Sequence, residues 1–186
     1  MLLNLYQWAK DSYEVSSSKG FDFSKESYPR LLKEIVGELF EADEHLETLG
    51  DGAWFRNSDM YDNIMAKAIP DITDSEVGVV MLNSVEFELA DVCLRILSLI
   101  GSIDGVVDFS YSSNLLGVES FDSLLLRVAK IVTSVECVGD VFMARGLVQA
   151  LGVVVNWCKG EGINLQWCMK VKLNYNRNRP YLHKVA

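Results

Sequence analysis

Apolar and polar positions recur along this chain with a helical period almost from end to end, and no stretch keeps the two-residue alternation of a strand. The strongest segment is 84–101. Placed at about 100° per residue, it is apolar around nearly its whole circumference, apart from a narrow strip of Ser84, Glu88, Asp91, Arg95 and Ser98. Such a helix belongs inside a bundle, not on its surface. Ahead of it, Tyr28 to Leu49 reads as a long amphipathic helix with Pro29 in its first turn and Gly50-Asp51-Gly52 as its stop. Leu32, Ile35, Val36, Leu39, Phe40 and Leu46 form its apolar face, roughly opposite Glu34, Glu38, Glu41 and His45.

Elsewhere the pattern is plainer. Residues 1–14 predict an amphipathic helix with Leu2, Leu5, Tyr6 and Ala9 on one side, broken by Ser16-Ser17-Ser18-Lys19-Gly20. Between 51 and 83 the pattern is irregular. Tyr61 to Ala68 predicts a short helix ahead of Pro70, and Asp59, Asp62, Asp71 and Asp74 read as loop and cap residues. A Ser- and Gly-rich linker at 102–117 precedes helices over 121–138, 140–159 and 165–179, the last ended by Pro180. The expectation is one all-α domain over residues 1–186, a bundle of about five to six helices. Leu124–Asp140 can be laid over Leu31–Glu47, and Gly146–Gly160 over Phe87–Gly101. Residues 103–160 therefore read either as an insertion or as a degenerate repeat in which Leu147 and Ala150 replace Glu88 and Asp91.

Carboxylates on a core helix need a reason, because buried charge is costly unless paired or bound to metal. An i,i+4 pair between Asp91 and Arg95 would account for one of them and leave Glu88 without a partner. The acidic row on 28–49, taken alone, reads as a solvated face. Together, Glu38-x-x-Glu41 and Glu88-x-x-Asp91 would assemble four carboxylates, which repel one another unless a hard divalent cation lies between them. Oxygen-only ligands suit Mg²⁺ or Mn²⁺. Near the C-terminus Lys172, Asn176 and Arg179 fall on one helix face and offer donors to phosphate oxygens, with a plain surface helix as the alternative.

The segments Glu38-Leu-Phe-Glu-Ala42 and Glu88-Leu-Ala-Asp-Val-Cys-Leu-Arg-Ile-Leu97 resemble the ExxE…ExxD signature of the all-α nucleoside triphosphate pyrophosphohydrolases, the MazG-like and dimeric dUTPase-like group. Lys172 to His183 is similar to that group's Lys-x-x-x-Asn-x-x-Arg-Pro-x-x-His tail. The similarity covers about 29–48, 84–104 and 160–184, and the acidic motifs stand further apart here than is usual in the group. It implies a MazG-like fold and Mg²⁺-dependent (Mn²⁺ also suits) cleavage of a nucleoside triphosphate to monophosphate and pyrophosphate. Glu38, Glu41, Glu88 and Asp91 would hold metal, and Glu38 or Glu41 would act as base. Lys172, Asn176, Arg179 and His183 would bind phosphate. Glu34 and Arg95 would stand behind the ligands, Arg95 either facing the phosphates or holding Asp91. Trp54 would stack on the base or only fill the core. A homodimer or homo-oligomer is the expected assembly.

Composition narrows the classes. Of 186 residues 49% are hydrophobic and 23% charged, which indicates a globular chain. The net charge of −9 argues against nucleic-acid binding, which wants a basic face. Charge is also uneven: no acid follows Glu161, whereas 162–186 carries Lys170, Lys172, Arg177, Arg179 and Lys184. Cys93, Cys137, Cys158 and Cys168 form no CxxC pair and read as buried thiols, which with no secretory signal suggests the cytoplasm. The apolar run Leu147–Cys158 looks too short for a membrane span. A carboxylate-bridged di-iron bundle is excluded, because neither His45 nor His183 follows a glutamate by three residues. The remaining rival is a catalytically inactive helical protein that binds nucleotide or a partner.

Overall fold

The apolar stretch at 84–101 becomes the central rod around which the other helices stand. The computed structural model describes residues 4–81, 83–103, 118–135 and 139–179. Its α-helices are α1 Leu5–Ser18, α2 Tyr28–Leu49, α3 Tyr61–Met65, α4 Asp74–Glu76, α5 Val85–Gly101, α6 Phe121–Ser134, α7 Asp140–Gly160 and α8 Leu165–Asn178, and no strand occurs among the described residues. The fold is all-α. Among the described residues eight helices exceed the five to six expected, because two short ones, α3 and α4, arise in the irregular stretch before α5; the six others are of 14 residues or longer.

Local chemistry sets the ends. Asn4 takes a left-handed conformation (φ 64°) and its side chain accepts the Gln7 N–H, opening α1. Pro29 lies in the first turn of α2, and Gly50 at φ 53° ends it. Thr73 and Glu76 form a reciprocal capping box on α4, a role the sequence left to the neighbouring aspartates. Asn164 caps α8 through the Trp167 N–H, and extended backbone at Arg179 closes it ahead of Pro180.

α5 packs against α1, α2, α7 and α8, while α2 and α7 also meet α6, so α2, α5, α7 and α6 form a closed ring of four. Fourteen of the seventeen α5 residues are buried, and the exceptions are Asp91, Arg95 and Gly101. Burial on all sides explains its all-round apolarity. Helix α1 turns Leu5, Trp8, Ala9, Ser12 and Val15 inward, but Tyr6, read on the same side as Leu5 and Ala9, is exposed, and Leu2 lies outside the described residues. Helix α7 has the length and apolarity of a membrane span, longer than its Leu147–Cys158 run suggested, and 67% of the qualifying window is buried in the bundle. Leu147 and Ala150 are fully buried core residues.

Candidate metal centre

The site forms where α2, α5 and α8 meet. The spacing of Glu88 and Asp91 turns both toward the seam between α2 and α8. Carboxylate oxygens of Glu38, Glu88 and Asp91 lie within 4.8 Å of one another. Glu38 and Glu88 are nearly inaccessible, at 7% and 4% exposure. Two cations from different helices border the group. Lys172, buried on α8, reaches Asp91 Oδ2 at 2.6 Å. The Arg95 guanidinium bridges to α2, with Nη2 2.5 Å from Glu38 Oε1 and Nη1 2.8 Å from Glu34 Oε2. The i,i+4 pair between Asp91 and Arg95 is therefore not the arrangement found: Arg95 crosses to α2, and Asp91 pairs with α8.

The electrostatics point to a shared proton. Burial, then the charges of Asp91 and Glu41, push the Glu38 carboxyl above its ordinary range, against the opposing pull of Arg95. Burial pushes Glu88 further, up to about 8, with Asp91 and Glu38 adding to it and Lys172 opposing. The two carboxyls hydrogen-bond to each other and share the proton that burial favours. Burial works against charge on Lys172 and Arg95 as well, yet the carboxylates around them outweigh it and hold both above their usual values.

This donor set fits a hard divalent cation. Oxygens bound to Mg²⁺ at about 2.1 Å stand roughly 3 to 4.2 Å apart, and the three carboxylates approach that spacing already. With Glu88 protonated, Glu34, Glu38, Glu88 and Asp91 exceed Arg95 and Lys172 by one negative charge; losing that proton leaves two, which a divalent ion offsets.

The other expected site residues divide. Glu41 is exposed and outside the three-carboxylate group. Glu34 serves Arg95. Asn176 and Arg179 line a cavity of about 60 Å³ that begins at Asp91 and Arg95. Trp54 stacks on Trp157 at 6.3 Å between centroids, with the Arg56 guanidinium 4.4 Å over its ring, and it does not line that cavity. His183 and Cys137 lie outside the described residues. Cys93, Cys158 and Cys168 are buried free thiols, each raised in pKa by burial.

Two further residues carry weight: His45, which periodicity set on the acidic face of α2 without a role, and Glu86, which it did not single out. His45 sits on α2 with Nδ1 4.0 Å from Glu88 Oε1, and that nitrogen is buried without a hydrogen-bond partner. Glu86, also buried, accepts backbone N–H groups of Phe55 (2.9 Å) and Arg56 (3.2 Å). Glu86 could have been noticed as a carboxylate outside the polar strip of a core helix. Compared with known protein families, curated proteins and solved structures, the chain matches none.

Proposed function

We propose that this protein is a metal-dependent nucleotide pyrophosphohydrolase, splitting a nucleoside triphosphate between its α and β phosphates into a monophosphate and pyrophosphate. The observation that carries the reading is the convergence of Glu38, Glu88 and Asp91 from two helices, with the cations Lys172 and Arg95 beside them. Mg²⁺ or Mn²⁺, held by these three carboxylates, would polarise phosphate oxygens and acidify a bound water. Glu38, held in place by Arg95, accepts the proton of the attacking water. Glu41, three residues along α2 at the open edge, is the alternative base and a fourth ligand from the solvent side. Lys172 and Arg179, with His183 from the tail, meet the charge of the polyphosphate. Glu34 holds Arg95 in turn.

In the same reading α6 and α7 are a second helix pair that supports the ring by packing, with Leu147 and Ala150 where the first pair carries its acids. A homodimer or larger homo-oligomer is part of the proposal, and contact through exposed Phe40, Leu126, Val141 and Phe142 would cover four of the large apolar side chains left outside. The second reading is an inactive nucleotide- or partner-binding protein. The ion pairs of Lys172 with Asp91 and Arg95 with Glu38 favour it, because they offset much of the acidic charge without metal.

A pyrophosphate-release assay over a panel of nucleotides, with Mg²⁺, with Mn²⁺ and with EDTA, separates the two. Turnover of at least one nucleotide is expected only with metal, and it should fall about a thousandfold or more in Glu88→Gln and Asp91→Asn. Folded wild-type protein that releases no pyrophosphate across the panel supports the second reading.

A further inference from the structure

The three buried carboxylates of the centre are unequally served by the cations beside them. Glu38 takes the Arg95 guanidinium and Asp91 the Lys172 ammonium. Glu88 forms no ion pair with a lysine or arginine among the described residues, and Lys172 acts on it only from beyond pairing distance. What stands next to Glu88 instead is the imidazole of His45, with Nδ1 4.0 Å from Oε1. That separation is too long for a hydrogen bond, since a charge-assisted N–H···O contact closes to about 2.7–2.9 Å. The acidic group is therefore short of positive charge on its His45 side.

His45 is incomplete in the complementary sense. Its side chain is 24% exposed, yet Nδ1 is closed to solvent and has no hydrogen-bond partner. A plain surface histidine would turn that nitrogen to water. Buried and unpaired, it forgoes both water and protein partners, which is costly. In the neutral ring one nitrogen carries a lone pair, and a cation is the partner that a lone pair and a neighbouring carboxylate can share.

The spacing suits such an ion. Ligand atoms about 2.1 Å from one cation stand roughly 3 to 4.2 Å apart, and the Nδ1 to Oε1 distance falls inside that range. His45 is outside the three-carboxylate group, so it joins the centre through Glu88, whose two oxygens allow one carboxylate to serve both sides. Glu41 stands one turn before His45 on α2 and is exposed. Residues four apart share a helix face, the spacing by which one helix offers two ligands to a single ion.

We infer that His45 is a metal ligand through Nδ1, acting with Glu88 and Glu41, so that the centre offers nitrogen as well as oxygen and prefers a first-row transition ion such as Mn²⁺ to Mg²⁺. Imidazole binds transition ions readily, whereas Mg²⁺ favours oxygen and keeps its water. The inference rests on the metal-dependent reading of this site and narrows its cofactor.

Pulsed electron paramagnetic resonance of the full chain loaded with Mn²⁺ tests it, because a bound imidazole nitrogen imprints a hyperfine coupling on the ion. The chain has 2 histidines, so the coupling should be present in the wild type and in His183→Ala and absent in His45→Ala. Calorimetric titration gives an independent reading: wild type should bind Mn²⁺ about a hundredfold more tightly than Mg²⁺, and His45→Ala should weaken Mn²⁺ about tenfold or more while leaving Mg²⁺ within about threefold. Wild-type protein without nitrogen coupling, or coupling that survives in His45→Ala, rules out the ligand. Equal weakening of the two ions in His45→Ala marks a histidine that only positions Glu88. Each of these results overturns the inference and leaves the pyrophosphohydrolase reading standing. Folded wild-type protein that binds neither Mn²⁺ nor Mg²⁺ overturns both.

Discussion

Two glutamates two residues apart on α5 show how much the partner of a buried carboxylate matters. Glu86 accepts hydrogen bonds from two backbone N–H groups. Glu88 meets another carboxyl and a distant imidazole, and retains a proton up to about pH 8. The sign of the linkage follows. The folded state holds a proton that an unfolded glutamate would have released above about 4.5, so metal-free protein should lose stability as pH rises from about 5 to 8, at most about 1.4 kcal/mol per unit. Urea denaturation in EDTA at several pH values reads this slope, and Glu88→Gln should flatten it. Glu86→Ala leaves the N–H groups of Phe55 and Arg56 without their acceptor and should cost about 2–3 kcal/mol. The same titration measures it.

At the level of the helix, α5 is shaped by close approach as much as by apolarity. Gly101 stands so near α1 that an added Cβ would lie 2.3 Å from the Ala9 carbonyl oxygen. Backbone does not yield as a side-chain tip does. Gly101→Ala should therefore push α1 away, at a cost of about 1–3 kcal/mol, and disturb the Ser16–Ser98 contact at the end of the cavity. Thermal unfolding of the variant checks the cost, and unchanged stability would mean that α1 adjusts freely. α1 is tied to the other side of the site as well: Lys19 donates to the backbone carbonyls of Arg177 and Arg179 at the end of α8. Those bonds keep Arg179 beside the cavity.

Across the whole molecule, three helices distant in sequence meet at one acidic point, and the fold carries the repulsion. Anything that binds this point only in the folded state stabilises the protein by mass action. At a hundred times its dissociation constant, Mn²⁺ should add about 2.7 kcal/mol, reversed by EDTA. Thermal shift measurements with and without the ion test this, and the gain should vanish in Glu88→Gln and Asp91→Asn. A gain of equal size in both variants would place the ion elsewhere.

Periodicity by itself determined the long helices, the burial of α5 and the polar strip on it, because 3.6 residues per turn turns spacing directly into a face. Glu88 and Asp91 were legible for that reason, and so was the shared face of Lys172 and Asn176. Pairing across helices was not. Periodicity puts Glu34, Glu38 and Glu41 on one broad stripe, and only the position of α5 against α2 decided that Glu38 turns inward, Glu34 meets Arg95 and Glu41 faces water. Nothing local could forecast that Arg95 would pass over Asp91 for α2, or that Phe21 and Phe23 from a short connecting segment would wall the cavity. Those choices depend on distances between segments far apart along the chain, which exist only once the helices have packed.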